Sequence, residues 1–227
     1  IHERLVGSEM CIRDRLHTLK LYSLCERTTF MIHYFDASRL TAVDSICFHL
    51  NILLKKYVLP GQPVIVMCIG SDRSTGDSLG PLVGYKLSKF TFENVHVYGC
   101  LQSPIHAANL SAAIDKIRRQ HSRPFIIALD ASLGKKEHIG FITIGTGPLK
   151  PGLGVKKKLP EVGDIHITGI VNNSGATDHV LLQTTRLSMI MTLADTITAA
   201  LVQTFLTNAS PDTLQVPAQP LLHRQIS

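Results

Sequence analysis

Two aspartates carry the strongest chemical signal in this sequence: Asp77, in the loop GSDRSTGDSLGP, and Asp130, which follows the apolar run FIIAL. Two carboxylates in unlike surroundings are the usual way to divide base and acid roles between groups of one type. Asp77 lies just before a helix expected to begin near Pro81, and the positive end of that helix favours an ionised carboxylate. Asp130 ends an apolar run, so desolvation and a nearby negative charge favour its protonated form. Each also has a plain structural use, a helix cap for Asp77 and a strand-end turn for Asp130.

The loop around Asp77 has the glycines, serines and acids that expose backbone N–H groups. It is not a phosphate loop, because no GK[ST] follows, and no GxSxG elbow occurs in the chain. Asp72, Arg73 and Ser74 are its candidate substrate-positioning residues, and Asp72 and Arg73 could pair across the turn. Ser74 and Ser78 have no evident base partner, which argues against a serine nucleophile. His106 and Asn172 are the remaining candidates for the same edge, with Asn173 and Ser174 beside Asn172, whereas His166 belongs at the far edge. A divalent metal shared by Asp77, Asp130 and His106 is the alternative to a metal-free pair.

These positions follow from the elements that must carry them. Leu40, Val43, Cys47, Leu50, Leu54 and Tyr57 recur at helical spacing and predict a first helix that stops before Pro60. Residues 64–69 form a continuous apolar run, a strand covered on both faces, and a helix follows from Pro81 to about Lys89. A strand at 95–98, a helix at about 107–120 and a strand at 125–129 complete a βαβαβ order, which brings the C-terminal strand ends to one edge. About eight residues then lead to a strand at 139–144, too few for a parallel return, so that strand is expected to run antiparallel. A last strand at 165–171 and a long helix from about Val180 close the domain. The expected fold is a three-layer αβα sandwich with a mixed, mostly parallel sheet of about five strands.

With 44% hydrophobic residues and 18% charged, the chain has the composition of a globular domain. Its net charge of +6 is scattered and gives no basic patch for nucleic acid. The run Lys156, Lys157 and Lys158 reads as a solvated loop at the far edge. Five cysteines without a CxxC pair fit neither a disulfide framework nor a zinc site, and a reducing cytoplasm fits best. Residues 187–206 are nearly long enough to span a bilayer, but Ser188, Thr192, Asp195, Thr196 and Gln203 share one side of the helical wheel, as on a core-packed surface helix. Residues 1–30 lack periodicity and contain LVGSEMCIRDR, which resembles translated sequencing-adaptor sequence. They are set apart from the domain at 31–206, as is a proline-dotted tail at 207–227.

The segments CIGSDRSTGDSLGPLVG, FIIALDASLG and GPLKPGLGVKKKLPEVGDIHITGIVN closely resemble the YyaC-type sporulation proteins, a family related to the spore germination protease, over residues 63–201. In that protease a PDALGP loop and a strand-terminal Asp-Ala carry the two essential aspartates, and the resemblance places Asp77 and Asp130 at the matching positions. The wider fold family includes hydrogenase-maturation endopeptidases, which use a glutamate, an aspartate and a histidine to hold a metal. Asp77 replaces that glutamate and no histidine here matches theirs, so the resemblance does not imply nickel. The long pro-sequence of the germination protease is missing as well, so its spore-protein substrates do not carry over. The resemblance implies a cytoplasmic peptidase of the sporulating cell acting on a peptide or protein, with catalytic Asp77 and Asp130. A non-catalytic protein that holds a partner in the same cleft is the rival expectation.

Overall fold

A computed structural model describes residues 31–151, 159–174 and 178–208. Residues 1–30, the lysines Lys156, Lys157 and Lys158 and the tail beyond Asn208 lie outside the described residues. The elements below all belong to one unit, which begins at Ile32.

The apolar runs become the strands of a six-stranded sheet in the order β1-β5-β6-β4-β2-β3. They are β1 (Ile32–Asp36), β2 (Val64–Cys68), β3 (Val95–Tyr98), β4 (Phe125–Gly134), β5 (Phe141–Thr146) and β6 (Ile165–Asn173). Strands β3, β2, β4 and β6 are parallel, while β5 runs antiparallel between β6 and β1, as the short link before it requires. The sheet therefore has one strand more than expected. That strand is β1, a five-residue edge strand whose sequence IHYFD has exposed or half-exposed residues on both faces and so no apolar run to announce it.

Helices α1 (Ala42–Tyr57), α2 (Leu79–Leu87), α3 (Leu110–Gln120), α4 (Asp178–Gln183) and α5 (Leu187–Asn208) cover the sheet. Alternate residues of β2 point to opposite faces. Val64, Val66 and Cys68 pack with α1, α2 and α5 in one core cluster, and Ile65 and Met67 pack with Leu110, Ile114 and Ile117 of α3 in another. The architecture is thus the expected three-layer sandwich. A leucine or isoleucine buried this fully contributes about 1.5–3 kcal/mol relative to exposure. Buried Cys47 and Cys68 and half-buried Cys100 are free thiols.

The expected long C-terminal helix is two. The first ends at Gln183, the chain leaves helical geometry at residues 184–186, where Thr184 and Thr185 both donate their hydroxyls to Leu181 O at 3.3 and 2.8 Å, and the second starts at Leu187. Helix α5 is long and apolar enough to cross a membrane by length and composition. Here its buried residues, among them Ile190, Leu193, Ile197 and Leu201, pack into the core, and Ser188, Thr192, Asp195 and Gln203 are exposed. It ends at Asn208, just inside the segment expected to be tail.

Connections leave β2 and β4 in opposite directions. From β2 the chain passes through α2 to the edge strand β3, then through α3 back across β2 to β4, and from β4 it moves on toward β5. With right-handed crossovers the two helices fall on opposite faces, and a crevice opens between the C-terminal ends of β2 and β4. Asp77 and Asp130 are both at this crevice.

Candidate functional site

Strand β2 ends early because its exit turns sharply. Gly70 has a φ of 138°, and a Cβ there would lie 2.1 Å from Asp77 O, so only glycine lets the loop close on itself. Ser71 N–H donates to Asp77 O at 3.0 Å and Asp77 N–H to Ser74 O at 3.1 Å. The hydroxyl of Ser78 donates to Thr75 O at 2.7 Å. Asp77 sits in the resulting 3-10 turn (Gly76–Ser78), directly before α2. The helix starts at Leu79 and Pro81 lies inside its first turn, where a missing N–H breaks no helical bond.

Asp130 is not at a strand end. It is the sixth of ten residues in β4, which continues to Gly134, paired with β6 through a bulge at Ser132/Leu133. The carboxyl group is buried, with 7% of the residue exposed, and one oxygen accepts the Ala131 N–H at 2.8 Å. Burial first, and the negative charge of Asp77 second, hold Asp130 well above the usual carboxylate range, against the opposing pull of the Ala131 N–H. The expected contrast in environment is present: Asp77 on a half-buried turn, Asp130 in the sheet.

The other candidates divide. Ser74 is in the same turn as Asp77, and its Oγ is buried without a hydrogen-bond partner among the described residues. Asp72 and Arg73 are exposed, and no ion pair joins them among the described residues. His106 comes near through the backbone, because Gly70 N–H donates to Ile105 O at 2.8 Å. Its Nδ1 accepts the Ala108 N–H at 3.3 Å, and Asn109 Oδ1 accepts the His106 N–H at 2.8 Å, which delays the start of α3 to Leu110. Asn172 is spent on architecture, its amide donating to Leu181 O at 2.9 Å and so tying α4 to the end of β6. His166 is low on β6 with Nδ1 3.0 Å from Gly147 O, away from the crevice.

Among the described residues no group of three or more His, Cys, Asp and Glu side chains is placed to hold a metal ion. His106 therefore does not complete a three-ligand set with Asp77 and Asp130.

A family model described as a protein of unknown function (DUF1256) matches residues 38–200. The chain belongs to this family. The protein YyaC of Bacillus subtilis (strain 168), described as uncharacterized, is 47% identical over 181 residues, covering 80% of this chain and 86% of that one. The YyaC-type resemblance of the quoted segments is thereby met. Among solved structures, the NiFe hydrogenase maturation protease HycI from Thermococcus kodakarensis KOD1 is 15% identical and aligns with a TM-score of 0.43 over 70% of this chain and 99% of that one.

Two features of the site were not expected. Helix α4 packs on the turn that carries Asp77, so closely that a Cβ on Gly76 would lie 2.7 Å from Leu182 O. The six-residue sequence of α4, DHVLLQ, gave no sign of it. Beside Asp130, a row of hydroxyls crosses the sheet, from half-buried Ser132 to buried Thr168 and Thr143: Ser132 Oγ is 3.0 Å from Thr168 Oγ1, which is 2.7 Å from Thr143 Oγ1. Thr168 is the register partner of both Asp130 and Thr143, and this pairing becomes visible only once the strand order is known.

Proposed function

We propose that this protein is a sporulation-associated, cytoplasmic peptidase in which Asp77 activates water and Asp130 supplies a proton. The observation that supports this reading is the buried, proton-retaining carboxyl of Asp130 beside the charge of Asp77 at the switch point of the sheet. Asp77 takes a proton from water as the water oxygen attacks the peptide carbonyl carbon. Asp130 gives its proton to the departing amide nitrogen as the C–N bond breaks. The pair ends with its proton on the other carboxyl and its total charge unchanged, so one proton transfer resets it. The likeness of GDSLGP and LDASLG to the germination-protease segments supports the same roles and the sporulation setting.

The test is to incubate purified protein with a lysate of sporulating cells and to map new protein termini. Wild type is expected to create termini that an Asp77→Asn, Asp130→Asn double variant does not, and each single change to slow cleavage on the order of a hundredfold or more. If the double variant makes the same termini at the same rate, the reading fails. The rival, a cleft that only holds a partner, draws on the lack, among the described residues, of a third His, Cys, Asp or Glu side chain placed with the pair to hold a metal ion. It predicts no new termini with either protein.

A further inference from the structure

Strand β4 outruns its neighbour. The β2 to β4 ladder ends at Cys68 opposite Leu129, with one more bond from Ile69 N–H to Leu129 O at 2.7 Å. Gly70 then turns its N–H to Ile105, away from β4. On its other side β4 stays paired with β6 as far as Gly134 opposite Asn173, and Ser174 N–H donates to Gly134 O at 2.8 Å.

Backbone groups of a strand alternate between its two sides. Since Leu129 O faces β2 and Gly134 O faces β6, the carbonyl of Ala131 and both backbone groups of Leu133 face the side that β2 has vacated. The Ala131 N–H on that side is taken by the Asp130 carboxyl. No strand pairs with this stretch there among the described residues, and residues 131–134 all keep partial solvent exposure. An open strand edge thus starts at the buried acid and leads away from it.

We infer that this edge receives an extended polypeptide as a short added strand, which brings one of its peptide bonds to Asp77 and Asp130. The groups left unpaired among the described residues are backbone donors and acceptors spaced for another backbone, and a strand edge of this kind is completed by main-chain pairing. Recognition is then largely indifferent to side chains, and the substrate class is an unfolded or locally extended chain, because a helical segment has its N–H and C=O groups already paired. The inference rests on the peptidase reading for the cleavage step, and on the sheet alone for binding.

Residue-resolved amide hydrogen exchange tests it. The full chain, as wild type and as the Asp77→Asn, Asp130→Asn variant in parallel, is mixed with a pool of random-sequence dodecapeptides at millimolar total concentration. A second pool, N-methylated at every residue, cannot donate. The unmethylated pool is expected to slow exchange of the Leu133 amide by about tenfold or more, with Ser132 and Gly134, which face β6, unchanged. The methylated pool should do much less. An unmoved Leu133 amide, or equal slowing at all three positions, overturns the inference. Protection at Leu133 without cleavage by wild type would sink the peptidase reading and keep the added strand. Cleavage without protection would do the reverse.

Discussion

Asp130→Asn tests the electrostatics of the site without any knowledge of its substrate. In the folded chain Asp130 keeps its proton to higher pH than in the unfolded chain, where the carboxyl has its ordinary value of 3.8. Between those two pKa values the folded state binds more protons than the unfolded one, so stability falls as pH rises. The contribution is fully present below about pH 4 and is lost as pH climbs through the raised folded value. For one proton the slope is at most about 1.4 kcal/mol per pH unit, which for a domain of this size moves the melting midpoint by roughly 3–6 °C per unit. Asparagine keeps an acceptor for the Ala131 N–H and cannot ionise, so Asp130→Asn should remove the slope. Melting curves of both proteins from pH 4 to 8 should nearly coincide at the acid end and then separate, with the variant the more stable. Asp77→Asn removes the neighbouring charge and should shorten the interval over which the slope persists. Parallel curves for wild type and Asp130→Asn, or a variant less stable at the alkaline end, would refute the assignment of a buried, protonated acid.

Two further changes probe how the pair is held. A Cβ on Gly80 would lie 2.0 Å from Ile69 O, so Gly80→Ala should push α2 and the Asp77 turn off β2 and lower stability by about 1–3 kcal/mol or more, read from the urea midpoint. Asn172→Ala removes the donor to Leu181 O and should cost about 1 kcal/mol, seen as faster amide exchange in α4 with a smaller change in global melting.

Much of the site was legible because its loops connect strands of unmistakable pattern. The runs VIVMC and FIIAL, separated by one helix, one short strand and another helix, put the aspartates at a common edge from pattern alone. The length of β4 was equally present in the sequence. LDASL alternates apolar and polar residues, and Leu129, Ala131 and Leu133 do pack toward one core cluster while Asp130 lies buried on the opposite face. Reading an acid after an apolar run as a terminator hid that alternation. What the sequence did not contain was partnership across the sheet. Thr168 lies opposite Asp130 because β6 pairs with β4, and Asn172 anchors α4 because the chain brings Leu181 O back over the end of β6. Neither fact has a local pattern.

The unequal lengths of β2 and β4 bring these observations under one cause. Had β2 continued beside Asp130, its backbone would have paired with Ala131 and Leu133, and the edge that leads away from the acid would have been closed. Gly70 prevents this by leaving the sheet where it does, and its conformation is enforced by the close approach of Asp77 O, so the residue that ends the strand also fixes the turn. The buried acid and the open edge are therefore not separate features. Replacing Gly70 with alanine should disturb both together, since a Cβ has no room against Asp77 O and the backbone must abandon its positive φ.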